Sequence, residues 1–225
     1  KVGNLEAAIT SKSIKNIHLS VVPPNGDVRL SVPHDTKDDV IRVFLASKIS
    51  WIRRQQQKYQ TQLRQTKREY VSGETHYYLG KGYQLYVKKN SNKESFVFDG
   101  KQFYLYITNK TSDQKKEQLV NSWYRSELKK LLSKLIKKRQ PKISVTPKHW
   151  RIQRMKTRWG SCNHETGRIL LNLELIKKPY NCIEYIVIHE WLHLIEPKHN
   201  DTYIALLDKY LPTWKVLKDE LNRFI

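Results

Sequence analysis

The chain opens as strand. Residues 14–19 and 28–32 alternate apolar and polar side chains around Pro23-Pro24-Asn25-Gly26-Asp27, a cluster that breaks strands and favours a turn, so the pattern predicts a β-hairpin. The period then lengthens. Thr36 and Asp39 read as a capping-box variant, and Val40, Val43, Phe44, Ser47 and Trp51 recur at helical spacing, predicting a helix from about Lys37 whose polar, glutamine-rich end projects. Gly73, Gly80 and Gly82 punctuate tyrosine-rich segments and read as turn chemistry, not as a phosphate-binding loop. Residues 96–107 form a second hairpin pattern about Asp99-Gly100, which tolerates positive φ. From Ser112, apolar positions from Leu119 to Ile136 mark an amphipathic helix that ends near Gln140-Pro141 and carries lysines on its other face. Residues 143–145, 150–155 and 168–173 read as short strands, Pro179 leads into a strongly apolar helix, Asp201 is placed to cap another, and Pro212 opens a last one. The expected class is α+β: an antiparallel, β-rich part with one long helix over residues 1–110, and a more helical part over residues 111–225.

The helix after Pro179 carries the candidate chemistry. Among Ile183, Ile186, Val187, Ile188, Leu192 and Leu194 it sets His189, Glu190 and His193, an H-E-x-x-H pattern. At 3.6 residues per turn the two histidines stand one above the other on one face, so both imidazoles can converge on one ion. An otherwise apolar helix also puts these polar groups in a mostly buried setting, where they need partners or a metal. A catalytic zinc takes three protein ligands and keeps one open position. His199, six residues on and past the helix-stopping Pro197, is the candidate third ligand, with Glu196, Asp201 and Asp208 as carboxylate rivals. Glu190 is placed to act as general base on a water that the metal acidifies.

At 225 residues the chain is long enough to bury a core in one or two domains. Cys162 and Cys182 are too few and too far apart for a zinc knuckle or a redox C-x-x-C, which suggests reduced thiols. No apolar run approaches a membrane span and the first residues have no signal-peptide core, so the expectation is a cytoplasmic protein without a membrane partner. The formal charge of +21 is uneven: residues 125–158 hold thirteen Lys or Arg against one acid, whereas residues 159–225 hold eight against nine. A second run, residues 48–68, has seven and no acid. Such runs are solvated helix faces or surfaces for a polyanion. On the second reading Lys130, Lys134, Lys137 and Lys138 are the candidate nucleic-acid contacts, with Trp123, Tyr124 and Trp150 either stacking on bases or packing in the core.

Taken in order, Tyr70-Val71-Ser72-Gly73-Glu74, Lys156-Thr157-Arg158-Trp159-Gly160-Ser161-Cys162, Leu171-Asn172-Leu173, the H-E-x-x-H with His199, and Pro212-Thr213-Trp214 resemble the bacterial YgjP-like metallopeptidase family. The resemblance covers nearly the whole chain and extends, more loosely, to the SprT-like and WLM zincin proteases, which act on proteins associated with DNA. It implies a zincin-like catalytic domain over residues 111–225 behind a strand-rich N-terminal part, with His189, His193 and His199 holding Zn2+ and Glu190 as base. Two departures from secreted zincins with this ligand spacing stand out. The residue three after the second histidine is Glu196, where those enzymes turn the chain with Gly, and the only methionine, Met155, lies upstream of the site where they carry a Met turn below it. Arg158 reads as a binder of a substrate carboxylate or phosphate, and Gly160 as a source of backbone N–H groups for a developing oxyanion or as a plain turn.

These readings converge on a zinc-dependent metallopeptidase acting on a protein or peptide substrate. Two alternatives keep the metal and change the rest. In one, the basic surface attracts a phosphate substrate such as a nucleotide, which the same centre hydrolyses. In the other, the metal is structural in a nucleic-acid-binding module, and an intact Glu190 beside three histidines weighs against it.

Overall fold

The computed structural model describes residues 5–22, 26–61 and 68–223. It divides into two compact units, with the boundary between Thr66 and Lys67. The first unit holds strands β1 (Ala7–Lys12), β2 (His18–Val22) and β3 (Asp27–Pro33) and helix α1 (Asp38–Thr61). The expected hairpin is β2–β3, and Gly26, at φ +76°, closes it by donating to the Val22 carbonyl; Pro23 to Asn25 lie outside the described residues. β1 was not foreseen. It pairs parallel with the far side of β3, giving the order β1-β3-β2. Val21, Val28, Leu30 and Val32 of the sheet bury against Ile41, Leu45 and Ile52 of α1. Of the apolar positions expected to face inward, Phe44 packs partly on this core, while Val40, Val43 and Trp51 are exposed. Two apolar stripes interleave on α1, and the helical period cannot say which one meets a sheet.

In the second unit β4 (Thr75–Tyr78), β5 (Lys81–Lys88), β6 (Ser95–Phe98) and β7 (Phe103–Tyr106) form a sheet in the order β4-β5-β7-β6. The β6–β7 hairpin turns at Gly100, φ +96°, where Asp99 Oδ1 accepts the amides of Lys101 and Gln102. Helix α2 (Asp113–Arg139) starts on Ser112, whose hydroxyl accepts the Lys115 amide, and sends Val120, Tyr124, Leu128, Leu132 and Leu135 into the core. Trp123 of α2 and, further along the chain, Trp150 pack half-buried against the same core. Residues 143–145, expected as strand, are irregular. Ile143 is a buried plug at the end of α2, and the Val145 carbonyl accepts the Trp191 indole N–H at 2.6 Å.

A third sheet frames the site. Strands β8 (His149–Gln153), β9 (Gly160–Asn163) and β10 (Arg168–Asn172) lie in the order β8-β10-β9, leaving β8 and β9 as its two edges. A 3-10 turn at Leu173–Lys177 then leads through Pro179 into α3 (Tyr180–Leu192), followed by α4 (Asp201–Tyr210) and α5 (Trp214–Arg223). α4 is capped one residue before the expected Asp201: the Asn200 side chain accepts the Tyr203 amide. Each of the three sheets contains a parallel pair (β1 with β3, β5 with β7, β8 with β10), which alternation within single strands does not reveal. Both cysteines are free thiols, and no helix among the described residues is long and apolar enough to cross a membrane.

His76 is 3% exposed among the rings of Tyr70, Phe96 and Phe103. Its Nε2 lies 3.4 Å from Glu74 Oε1 without hydrogen-bond geometry. Burial, reinforced by Arg68, holds its pKa down to about 4. A histidine kept neutral in the fold and free to protonate near 6.5 when unfolded contributes stability above that pH, which is lost as pH falls from about 6.5 toward 4, by roughly 3 kcal/mol. Urea unfolding across that window should show the loss, and His76→Leu should make it shallower, the remainder belonging to His189 and His193, whose pKa values burial also lowers; an equally steep fall in the variant would assign the effect elsewhere.

Candidate metal centre

α3 is almost wholly buried because apolar residues surround its axis, and its N-terminus is anchored from two sides. Leu79 and Gly80, in the β4–β5 turn, donate to the carbonyls of Ile176 and Lys177, and Gly80, at φ +84°, packs against Pro179 so closely that an added Cβ would stand 2.8 Å from the proline Cγ. On the flank, the Arg139 guanidinium at the end of α2 pairs with buried Glu184 at 2.7 Å. The helix stops at Leu192, with His193 as its C-cap. In place of the glycine turn of secreted zincins, the Glu196 amide returns to the Leu192 carbonyl, the Glu196 carbonyl lies 3.1 Å from His193 Nδ1, and the Glu196 carboxylate accepts the Lys198 amide.

That turn brings His199 back over the helix face. His199 Nε2 lies 3.1 Å from His193 Nε2 and 3.2 Å from His189 Nε2, and the three donor nitrogens form one group within 4.8 Å. Zinc–nitrogen bonds of about 2.0–2.1 Å in a tetrahedron put donor nitrogens about 3.3 Å apart, so the spacing fits a zinc ion. The protonation states fit as well. Burial, and next the neighbouring His193 and His199, hold His189 down to about 3, and burial lowers His193 too, so these two imidazoles face the centre neutral. With its Nδ1 proton toward the Glu196 carbonyl, His193 keeps its Nε2 lone pair for the metal. His189 Nδ1 is buried with no partner among the described residues. The carboxylate rivals are engaged elsewhere or remote: Glu196 in its turn, Asp208 accepting the Trp214 indole N–H at 2.8 Å, and Asp201 exposed at the start of α4.

Glu190 is 6% exposed and points at β9. Burial pushes its carboxyl up to about 7, with Arg158 pulling the other way. A Cβ built on Gly160 would stand 2.5 Å from Glu190 Cγ and 2.7 Å from Oε1. The glycine is there to make room for the carboxylate. Gly160→Ala should therefore cost activity at least about tenfold and about 1–3 kcal/mol of stability, because the closest atoms belong to a buried side chain with little room to yield. Kinetics and urea melts on one preparation test this, and wild-type activity in the variant would show that Glu190 tolerates displacement. Cys162, two residues along β9, has its thiol raised to about 11 by burial and then by Glu190, which leaves it a poor nucleophile.

Two residues to which the sequence assigned no role in the site hold the centre in shape. Tyr203, fully buried on α4, donates its hydroxyl to the His189 carbonyl at 3.0 Å, stacks on the His193 ring at 4.6 Å and meets His199 edge-on at 4.8 Å. Its only signal in the sequence is a hydroxyl-bearing ring soon after the ligand loop. Asn172, at the end of β10, ties down the loop before β9. Its amide group donates to the Met155 and Arg158 carbonyls, its side-chain oxygen accepts the Met155 and Glu174 amides, and its own N–H reaches Trp159 O. Arg158 itself is exposed at the end of this loop. Lys134, Lys137 and Lys138 lie exposed on α2, and Lys130 forms an ion pair with Glu127 at 2.8 Å.

Three histidines converge beside a buried glutamate, with an edge strand alongside. The chain matches the family described as YgjP-like, metallopeptidase domain, over residues 15–224, and belongs to it. Among solved structures it is similar to the crystal structure of the metallopeptidase zymogen of Pyrococcus abyssi abylysin, at 20% identity and a TM-score of 0.37, over 40% of this chain and 90% of that one. No curated protein matches the chain.

Proposed function

We propose that the protein is a zinc-dependent peptidase that hydrolyses peptide bonds of a protein or peptide substrate. The observation that carries this reading is the approach of His199 Nε2 to within 3.1–3.2 Å of both helix histidines, with Glu190 buried next to them. His189, His193 and His199 would hold the ion. Zinc, when bound, supplies a Lewis acid that polarises a carbonyl and lowers the pKa of water. Glu190 takes a proton from the attacking water and returns it to the leaving amine, a double role that suits a carboxyl raised to about 7. The free edge of β9 runs beside that carboxylate and offers backbone groups to an extended peptide, which would add as a further strand. Arg158, exposed at the entry to β9, would bind a substrate carboxylate.

The test is a substrate comparison. Zinc-loaded protein is incubated with an unfolded-protein peptide library and, separately, with nucleoside triphosphates. Peptide cleavage that a chelator removes and added zinc restores is the expected result. Phosphate release without peptide cleavage would replace this reading by the phosphohydrolase one.

A further inference from the structure

Several cations of the second unit are matched internally. Arg139 pairs with Glu184, Lys177 with Glu174, Lys130 with Glu127, and Arg154 with Glu117. One group is not. Lys148, His149, Trp150, Arg151 and Arg168 line an open cleft of about 500 Å³ along the β8 edge of the third sheet. Among the described residues, Lys148, Arg151 and Arg168 make no ion pair and no side-chain hydrogen bond, and none of the five lining residues is acidic.

The fold gathers these charges. β8 and β10 pair parallel with His149 opposite Arg168, so the two exposed side chains stand next to each other, and Arg151 follows His149 on the same face one alternation along. Lys148 is held at the head of the strand: its amide and that of His149 both donate to the Gly167 carbonyl, and Gly167 packs on the lysine's aliphatic stem. Trp150 points the other way along β8, half-buried against the core. The row that faces Glu190 starts at Gly160, which pairs with Leu171 and through it with Ile152. The cationic side chains occupy the opposite set of positions, so the cleft is separate from the metal centre.

We propose that this cleft binds the phosphates of a nucleic-acid strand without reading its sequence. Uncompensated like charges held together repel, and an external polyanion offsets that repulsion. Two arginines favour phosphate, whose oxygens their planar forks can grip in pairs. The cleft is open along a strand edge and so suits a polymer running past it, not an enclosed mononucleotide. A nucleic acid adds to this a dense charge that a chain of net charge +21 attracts. The inference stands apart from the hydrolytic reading, since its test reads binding alone.

The experiment is fluorescence anisotropy of a labelled mixed-sequence oligonucleotide titrated with the full chain across a salt series. The Arg151→Gln, Arg168→Gln double variant should bind about tenfold or more weaker at low salt, and the slope of log affinity against log salt should fall by about 1.8, roughly 0.9 for each of two lost phosphate contacts. Arg151→Lys with Arg168→Lys keeps the charge and should retain most of the slope. Both sites are exposed, and a thermal melt checks the fold; should the glutamine pair melt abnormally, Lys148→Gln is read in its place, with an expected slope change of about 0.9 for its one contact. Lys134→Gln, Lys137→Gln and Lys138→Gln together, on α2, should leave binding within about threefold of wild type. Unchanged affinity and slope in the cleft variants overturns the proposal, as does an effect confined to the α2 variant. Displacement of the oligonucleotide by polyglutamate at equal charge would make the site one for acidic peptides, and displacement by inorganic phosphate at equal charge would make it a small-anion site; either result overturns the nucleic-acid assignment.

Discussion

Glu190→Gln is expected to leave the zinc-loaded protein folded and to remove about 10² to 10⁴ of its peptidase rate, the range for loss of a general base. The amide has almost the same shape as the carboxyl, so it keeps the fit against Gly160, where there is no spare volume. It has no basic oxygen to accept a proton. Glu190 is also not a zinc ligand in the proposed centre, so metal content should hold at one per chain, and the loss should fall on kcat. Elemental analysis and single-turnover cleavage on matched samples separate these effects. Cleavage at the wild-type rate by the zinc-loaded Glu190→Gln variant would remove Glu190 from the chemistry and leave the base to be sought elsewhere.

His199→Ala is expected to strip the metal. The residue is exposed on the loop after Pro197, so its loss removes little packing, and thermal melts of the metal-free proteins should be nearly the same. The zinc affinity should fall by roughly 100-fold or more, above the range typical of outer-shell mutations, because a primary nitrogen donor goes. A competition titration with a chromogenic chelator measures it. If affinity and stoichiometry are unchanged, the third donor is a different group, and the short Nε2 distances to His189 and His193 have another cause.

Much of this centre was legible before any tertiary structure. The helical period alone places His189 and His193 on one face and makes Pro197 a point of return, because both are local consequences of backbone geometry. The β2–β3 and β6–β7 hairpins and the long α2 helix were legible for the same reason: Gly26, Gly100 and Ser112 act on bonds a few residues away. The family resemblance, carried by short motifs in fixed order, agrees with the family match over residues 15–224. What failed was the non-local part. The parallel partners β1, β5 and β8 are chosen by strands that meet only after the chain has folded back, and the inward stripe of α1 is chosen by the sheet it lands on.

The same divide runs through the site. By itself the sequence determined the types and spacing of the donor residues, a helix to carry two of them and an excess of positive charge, since all of these are written in neighbouring residues. Only the tertiary structure decided that Gly160 faces Glu190, that Tyr203 braces two histidines, that Asn172 pins the loop before β9, and that Arg168 stands beside His149 with no acid to match it among the described residues. Each of these joins residues well separated in the chain. Packing and hydrogen bonding choose such partners by shape and burial, and no local period records the choice.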